Sequence, residues 1–334
     1  MRLPEYLATA IEQISPGRSS STLTAASREL TQRYKSANFA TPAVHTFLDR
    51  SAYLTVRFPA TFAANMRVLS ELRRLAPELE ISSLLDLGAG PGTSLLAAAE
   101  VLPSLTSATL LEADPQWLGL GKQLSNDSPH AAVRNALWVQ RDLRGSEEFK
   151  AHDAVIISYA LGELAPALLP QVLRRAWSSA QKFLVLIEPG TKRGFAAINA
   201  ARSFLIEQRA GILAPCPHRE ACPMAVAGDW CHFSQRLERT AGHRRIKGGS
   251  LGFEDEKFSY LIATRLELNP VQARIIRHPQ KHSGHVQLEL CTLRGRLEKT
   301  TIAKSAKEAY KRARQSDWGD EWWGACGPTT FPEF

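Results

Sequence analysis

The feature that most constrains the fold is a glycine-rich turn within residues 83–93, whose sequence is SLLDLGAGPGT. The apolar residues before the turn predict a buried strand, and those that follow Thr93 predict a helix. Gly88, Gly90 and Gly92 let the backbone adopt positive φ and approach a ligand closely. The free N–H groups at the start of a helix favour an anion or a carboxylate. The spacing is not that of the GxGxxG dinucleotide motif, because the third glycine is missing.

Strand-like and helix-like segments alternate after this turn. Five apolar runs predict strands, at residues 84–87, 108–114, 136–140, 153–158 and 183–187. Helical segments lie between them, and this order predicts a mostly parallel sheet with helices on both faces. Ligands of such sheets bind at the carboxyl ends of the strands.

The glycine turn resembles the first motif of class I S-adenosylmethionine (SAM) methyltransferases, in which the methionine part of SAM lies over the turn. This resemblance implies an α/β, Rossmann-like fold of the class I SAM-methyltransferase type. Glu112 is the candidate for the ribose hydroxyls, with Asp114 as its rival, and Asp142 is the candidate for the adenine amino group. The predicted SAM-binding residues are Asp86, Gly88, Gly90, Gly92, Glu112 and Asp142.

The segment after the fourth strand is where a methyl donor meets its target. Ser158, Tyr159 and Glu163 are the pocket candidates, and the sequence names no general base. Amino-group methyltransferases carry Asp/Asn-Pro-Pro-Tyr/Phe here, whereas this chain has Ser-Tyr-Ala-Leu. Three hypotheses stay open: an RNA-directed SAM methyltransferase, a non-catalytic assembly factor with SAM structural or absent, and a zinc-containing methyltransferase for another substrate.

Three cysteines within sixteen residues, Cys216, Cys222 and Cys231, predict a metal site. The chain has five cysteines, and this odd count argues against a disulfide framework. Cys291 is the candidate for a fourth soft ligand, and Cys326 is predicted to be a spare thiol.

The Cys-x5-Cys-x8-Cys spacing admits two kinds of metal site. Four thiolates suit an iron–sulfur cluster. Three thiolates with a histidine, His218 or His232, suit zinc. Spacing alone does not separate the two.

A basic segment lies between residues 270 and 314. It holds eleven Lys and Arg against three Asp and Glu, so the whole formal charge of +8 falls within it. Such a local excess is typical of nucleic-acid binding. Trp318, Trp322 and Trp323 are candidates either for stacking on bases or for docking into the protein's own core. The cations predicted to bind RNA phosphates are Arg274, Arg277, Lys281, Arg294, Arg296, Lys299 and Lys304.

The chain divides into three predicted regions. Residues 1–80 are helical, and residues 81–212 form the SAM-methyltransferase-like core. Residues 257–278 are predicted to complete the sheet of this core, with an antiparallel strand at its edge. Residues 213–334 form a β-rich extension that holds the cysteine site and the basic segment.

The motifs together resemble one family: the mitochondrial-type small ribosomal subunit assembly proteins with a methyltransferase-like domain, bacterial relatives included. The resemblance extends from about Tyr53 to Asp320, and residues 216–236, 288–291 and 318–320 carry it. It implies a role in ribosome assembly and translation, with binding to small-subunit ribosomal RNA in a pre-30S-type particle. It also implies a [4Fe-4S] cluster on Cys216, Cys222, Cys231 and Cys291.

The cellular context follows from hydropathy and charge. No apolar run reaches the roughly 18–20 residues of a membrane helix, and residues 1–17 match neither a signal nor a transit pattern. We therefore expect a cytoplasmic protein of bacterial type, with no membrane partner and monomeric outside the particle. Because Cys291 lies in the basic segment, we expect the metal to fold the RNA-binding face.

Overall fold

The structure is a computed structural model, and it contains two β-sheets with helices packed against both. The residues that it describes are 1–14, 20–35, 44, 46–247, 251–268 and 271–324. Cys326 lies outside them. The described helices are α1 (Glu5–Ile14), α2 (Ser20–Lys35), α3 (Phe47–Ala52), α4 (Phe58–Leu75), α5 (Thr93–Val101), α6 (Pro115–Ser125), α7 (Ala131–Arg134), α8 (Leu169–Ser179), α9 (Lys192–Glu207), α10 (Pro223–Val226), α11 (Ala241–Lys247) and α12 (Lys307–Gln315).

The strands of the described residues fall into an eight-stranded and a four-stranded sheet. The first sheet contains β1 (Ser83–Leu87), β2 (Ser107–Glu112), β3 (Leu137–Gln140), β4 (His152–Ser158), β5 (Ala180–Pro189), β6 (Gly211–Ala214), β7 (Phe233–Glu238) and β8 (Phe253–Thr264). The second contains β9 (Ala273–Ile275), β10 (Gln280–Lys281), β11 (His285–Thr292) and β12 (Leu297–Ala303).

The first five strands pair in parallel in the order β3-β2-β1-β4-β5. The chain runs outward from β1 through β2 to β3, then returns to the other side of β1 as β4. The strand order therefore reverses beside β1, where open α/β sheets bind their ligands. The glycine turn follows β1 directly and lies at this switch point. This is a class I SAM-methyltransferase-like fold, as predicted.

The antiparallel part of the first sheet corrects the prediction of an edge strand. β8 pairs with β5, with Leu186 opposite Leu261, but β6 and β7 both pair along its other side. These two short strands were not predicted from the sequence. Residues 273–275, predicted to complete this sheet, form β9 of the second sheet instead. The three-region division itself stays a prediction.

The N-terminal helices pack on the first sheet. Pro59 stands in the first turn of α4, where a missing N–H leaves no helical bond unmade. A π-helix precedes it, at Tyr53–Arg57. Phe58 and Phe62 share one buried core with Leu84 of β1 and Leu95 of α5. The helical region therefore covers a face of the sheet.

The second sheet has its own core. Side chains alternate along β11, and Val286, Leu288 and Leu290 are buried on one face. Residues of α12 and Trp322 pack against them. Trp322 is 7% exposed, so of the two predicted roles for this tryptophan it takes docking into the protein's own core.

Candidate cofactor and metal sites

The glycine turn adopts a conformation that requires its glycines. Gly88, Gly90 and Gly92 all have positive φ, at 71°, 53° and 81°, a region that side chains with a Cβ rarely adopt. A Cβ at Gly88 would lie 2.8 Å from the Ala160 Cβ, and one at Gly92 would lie 2.9 Å from the Trp138 ring. A Cβ at Gly90 would meet nothing within 4 Å. The turn is therefore open above Gly90 and closed on both sides of it.

Glu112 lies against this open position. Its carboxylate accepts hydrogen bonds from the Gly90 N–H over 2.7 Å and from the Asp114 N–H over 2.9 Å. Burial raises its pKa. Asp114, its rival, caps α6 by accepting from the Gln116 N–H and pairs with Arg50. The structure gives Asp114 this local role and leaves Glu112 beside the turn.

The two other predicted acidic residues differ in environment. Asp86 is 1% exposed, and burial raises its pKa to about 7. Asp142 follows β3, and its side chain is 43% exposed. Both of its oxygens accept hydrogen bonds from Arg144, and this guanidinium lowers the pKa of Asp142.

The segment after β4 holds the predicted methyl-transfer residues. Asn65 donates a hydrogen bond to the Ser158 Oγ over 2.9 Å, and the Tyr159 hydroxyl donates to the Glu256 Oε1 over 3.0 Å. Tyr159 has a φ of 58°, and such left-handed backbone in a bulky residue concentrates at functional sites. Glu163 is exposed nearby. The first two pocket candidates are therefore already hydrogen-bonded to side chains.

Four cysteines from distant parts of the chain line one cavity. β6 and β7 lie along the same side of β8, so the loop between them returns on itself and brings Cys216, Cys222 and Cys231 to one place. Cys291 reaches the same cavity from β11 of the second sheet. The structure thus brings together all four cysteines that the sequence predicted as ligands.

No three His, Cys, Asp or Glu side chains of the described residues lie close enough together to hold a single metal ion. His218 lines the cavity, and its Nε2 lies 3.3 Å from the Cys291 Sγ. His232 instead stacks on Trp230, with ring centroids 5.2 Å apart. Neither histidine completes a zinc site with three of the cysteines in this structure.

The cavity is electrostatically unusual because thiols and buried cations share it. Arg202 of α9 and Arg274 of β9 both line it, and they are 3% and 1% exposed. The Arg202 Nε and the Arg274 Nη2 are buried without a hydrogen-bond partner in the structure. Buried N–H groups of this kind are normally satisfied, so these two donors remain available to an anionic group in the cavity.

Burial and mutual repulsion raise the pKa values of the thiols. For Cys231, burial acts first, followed by the charges of Cys216, Cys222 and Cys291. Burial also comes first for Cys216 and Cys291. Four thiolates could share this space only with a positive centre among them, which is the chemistry that thiolate-bound iron or zinc supplies. The donor set therefore fits a thiolate-bound metal centre.

The predicted RNA-binding cations divide into one buried and several exposed residues. The prediction that Arg274 binds an RNA phosphate is corrected by the structure. Arg274 lies in the interior and pairs with Glu71 over 2.7 Å, so it cannot reach a phosphate. Its place in an apolar strand with a buried carboxylate opposite explains the difference. Arg277 is half-buried and pairs with Asp229 of the cysteine loop over 2.5 Å. The remaining five are exposed: Lys281, Arg294, Arg296, Lys299 and Lys304.

The β11–β12 hairpin touches the cysteine loop. A Cβ at Gly295, in the tip of the hairpin, would lie 2.9 Å from the Glu220 Cβ and 3.3 Å from the His218 Nδ1. Arg294 and Arg296 flank this contact and are exposed. The basic hairpin tip therefore packs directly against the loop that supplies three of the cysteines.

A family model described as "Mitochondrial small ribosomal subunit Rsm22" matches residues 48–323. The chain belongs to the Rsm22 family. The match covers the sheet with its glycine turn, the cysteine loop and the basic hairpin, and it confirms the resemblance on which the sequence analysis relied.

Curated relatives share this assignment. The chain is 29% identical over 344 residues to the Rsm22-cox11 tandem protein 2, mitochondrial, of Schizosaccharomyces pombe, covering 85% of this chain and 45% of that protein. It is 28% identical over 287 residues to the human ribosome assembly protein METTL17, mitochondrial, covering 80% of this chain and 61% of that protein. The chain thus spans less than two thirds of the length of these relatives.

Solved methyltransferases resemble the chain more distantly. The plantazolicin methyltransferase BpumL in complex with SAH has a TM-score of 0.43 and 12% identity, covering 78% of this chain and 99% of that one. Magnesium protoporphyrin IX methyltransferase from Synechocystis with bound SAH has a TM-score of 0.41 and 11% identity, covering 71% and 94%. The fold class rests on the strand order described above.

The prediction of a cytoplasmic protein of bacterial type is wrong. The family is described as mitochondrial, and the relatives above carry the same word in their names. Composition and charge report how a chain folds and binds, and they do not record its compartment. None of the described helices is long and apolar enough to cross a membrane.

Glu188 and Arg202 are two buried charged residues that were not predicted from the sequence. Glu188 ends β5, is 2% exposed, and accepts a hydrogen bond from the Leu161 N–H over 2.8 Å. Burial raises its pKa to about 8. A carboxylate at the end of an apolar strand was the available signal for Glu188. Arg202 gave none, because a cation on an amphipathic helix is normally exposed.

Proposed function

We propose that this chain is a small-subunit ribosome assembly factor that binds ribosomal RNA and carries a [4Fe-4S] cluster on Cys216, Cys222, Cys231 and Cys291. Its relatives are named as ribosome assembly proteins, and its exposed cations supply the charge that RNA phosphates require. The mitochondrial ribosome is the particle that the names of these relatives suggest.

One observation carries the proposal: four cysteines from two sheets line a single cavity. A cubane cluster binds each thiolate on a different iron, so its ligands stand farther apart than those of one zinc ion, where Zn–S is about 2.3 Å. A donor set of four thiols without a histidine ligand suits such a cluster. The cluster supplies a cross-link between the two sheets.

The RNA-binding part of the proposal follows from the hairpin contact. The tip at Gly295 packs on the cysteine loop, and Arg277 pairs with Asp229 of that loop. A metal centre that orders the loop therefore orders the hairpin that presents Arg294 and Arg296. We expect RNA affinity to depend on the cluster for this reason.

Metal analysis of anaerobically purified protein tests the cluster. We expect about four iron and four acid-labile sulfide per chain, and a visible absorption band that dithionite bleaches. Cys222→Ser is expected to abolish both and to weaken binding of small-subunit RNA. Cys326→Ser is the matched control and is expected to retain iron, sulfide and affinity. Zinc in place of iron, or wild-type RNA affinity in Cys222→Ser, would contradict the proposal.

A second candidate function is methyl transfer from SAM to this RNA. The opening above Gly90 and the adjacent Glu112 support SAM binding, because the open backbone admits a ligand and the carboxylate beside it is a possible acceptor for ribose hydroxyls. Such a transfer is an in-line displacement at the sulfonium that depends on positioning. Glu163 is exposed at that end, whereas Ser158 and Tyr159 are hydrogen-bonded within the protein.

Labelled SAM separates the two functions. Gly90→Arg would place a side chain in the opening, where a Cβ meets nothing within 4 Å, and Gly324→Arg matches it because Gly324 also has positive φ and open space around its Cβ position. We expect SAM binding in wild type and Gly324→Arg and loss in Gly90→Arg. Label transfer to RNA that disappears with Gly90→Arg would establish catalysis. Binding without transfer would assign SAM a structural role.

A further inference from the structure

Arg202 is a buried cation beside the cysteine cavity without a compensating carboxylate. It is 3% exposed, and an arginine side chain stays charged in proteins. Within the described residues its guanidinium contacts His218 and interacts with the Cys216 thiol, forms no ion pair with Asp or Glu, and leaves its Nε unpartnered. A buried charge without a counter-charge is strongly destabilising. Arg175 of α8 is likewise buried, with an unpartnered Nε and no ion pair among the described residues, but Arg202 differs in lining the cavity that holds the four cysteines.

The neighbouring Arg274 differs in this respect. Glu71 pairs with it over 2.7 Å, and its guanidinium also donates to the Pro215 and Gly319 carbonyl oxygens. Its charge is balanced by protein groups. Of the two buried arginines that line the cavity, only Arg202 has its charge left to be balanced by the thiolates.

A chain of donors leads from Arg202 to one cysteine. The Arg202 Nη2 donates to the His218 carbonyl oxygen over 2.7 Å and lies 3.5 Å from the His218 Nδ1. Because a guanidinium has only donors, we assign His218 Nδ1 as its acceptor and place the ring proton on Nε2. That nitrogen lies 3.3 Å from the Cys291 Sγ. The ring therefore presents an N–H to the sulfur.

We propose that Arg202 and His218 lie beside the metal centre on the side of Cys291, where the Arg202 charge serves as a counter-ion. We propose further that these two residues raise the reduction potential of the centre. The inference rests on the proposed iron–sulfur function. One-electron reduction adds a negative charge to an already anionic assembly. A buried cation and an N–H donor at the thiolate stabilise that added charge, and both are established means of tuning such potentials.

Removal of the Arg202 charge tests the proposal. Arg202→Gln is compared with wild type and with Arg175→Gln, because Arg175 of α8 is a similarly buried arginine, 4% exposed, whose guanidinium donates to the Leu143 and Glu147 carbonyl oxygens away from the cysteines. The measurement is an anaerobic redox titration with dithionite, followed by electron paramagnetic resonance. We expect the equilibrium constant for reduction to fall at least tenfold in Arg202→Gln, about 59 mV, and to be unchanged in Arg175→Gln.

The controls separate failure of the inference from failure of the proposed function. Wild-type protein without iron and sulfide overturns the proposed function and the inference with it. Arg202→Gln with full iron and sulfide at the wild-type potential overturns the inference alone. Should Arg202→Gln not fold, His218→Leu removes the N–H donor and keeps Arg202: a lowered potential supports the proposal, and an unchanged one overturns it. Arg202→Lys, which keeps the charge, is expected to recover most of the potential.

Discussion

The glycine turn and the cysteine cavity are both candidate ligand sites, but they are built in opposite ways. Residues of the turn are contiguous, and the protein itself satisfies much of their hydrogen bonding, as when Glu112 accepts from Gly90. The cavity gathers residues from two sheets and leaves the Arg202 Nε and the Arg274 Nη2 unpartnered. Buried polar atoms without a partner also remain at the turn, namely the Asp86 carboxylate oxygens and the Thr93 Oγ1, so the difference is that only the cavity joins two sheets.

This difference predicts which part of the molecule depends on a bound group. The sheet around β1 has an apolar core that includes Leu84 and Ile156, and it needs no metal to form. The second sheet has a small core of its own and meets the first at the cavity. A metal centre there would add to the stability of the second sheet far more than to that of the first.

The largest expected effect is that of Cys291→Ser, which removes the one proposed ligand from the second sheet. We expect a loss of stability on the order of 4 kcal/mol or more, because structural metal sites supply about 10–16 kcal/mol in small metal-dependent domains. Hydrogen exchange is expected to accelerate in β11 and β12 and to stay slow in β1 and β4. Equal acceleration in both sheets, or none, would contradict the proposed division of the molecule.

The next effect concerns the buried pair Arg274–Glu71, which joins α4 to the cavity wall. Arg274→Gln leaves Glu71 with Arg74 only, and removal of one partner of a buried pair costs about 3–5 kcal/mol. Denaturant unfolding measures the loss. Because Arg274 does not face solvent, RNA affinity measured on protein that is still folded should stay near wild type. A specific loss of affinity would restore the prediction that Arg274 contacts phosphate.

The Arg274–Glu71 pair also makes the free energy of unfolding depend on pH in the acid range. Burial alone would raise the pKa of Glu71, but the charges of Arg274 and Arg74 outweigh this effect and lower the pKa to about 2. The folded-state pKa is depressed, so this stabilisation is present above about pH 4.5 and is lost as pH falls towards 2. Glu71→Gln should remove that part of the pH dependence.

Glu188, at the end of β5, gives a pH-dependent prediction for the first sheet, which holds the glycine turn. Burial raises its pKa to about 8, so the folded state holds its proton more tightly than the unfolded state. Stability from this group is full below about pH 4.5 and is lost as pH rises through 8. Glu188→Gln keeps a hydrogen-bond acceptor for the Leu161 N–H and removes the titration. We expect it to exceed wild type by about 2–4 kcal/mol at pH 8 and to match it at pH 4.5. A variant without a pH-dependent gain would show that the carboxylate is stabilised as an anion.

A site formed by one contiguous segment could be predicted from the sequence, whereas a site assembled from distant segments could be predicted only in part. Residues 83–93 specify a strand, a turn and a helix within eleven positions, so the switch point could be predicted from one segment. The four cysteines could be named from their chemistry. The cations around them could not, because Arg202 and Arg274 become buried only when two sheets meet. Net charge marked Arg274 as a surface residue, and packing against Glu71 overrode that expectation.

The smallest expected effect comes from the exposed hairpin tip. Arg296→Gln removes one exposed charge, so stability should change by less than about 0.5 kcal/mol. Loss of one phosphate contact should weaken RNA binding for all sequences alike and reduce the salt-dependence slope by about 1. Binding assays at several salt concentrations measure that slope. Lys122→Gln is the matched control, because Lys122 is exposed on α6 and lies outside the basic segment. Equal slopes for the two variants would indicate a diffuse basic surface, whereas a change confined to Arg296→Gln would assign the RNA contact to the hairpin that packs on the cysteine loop.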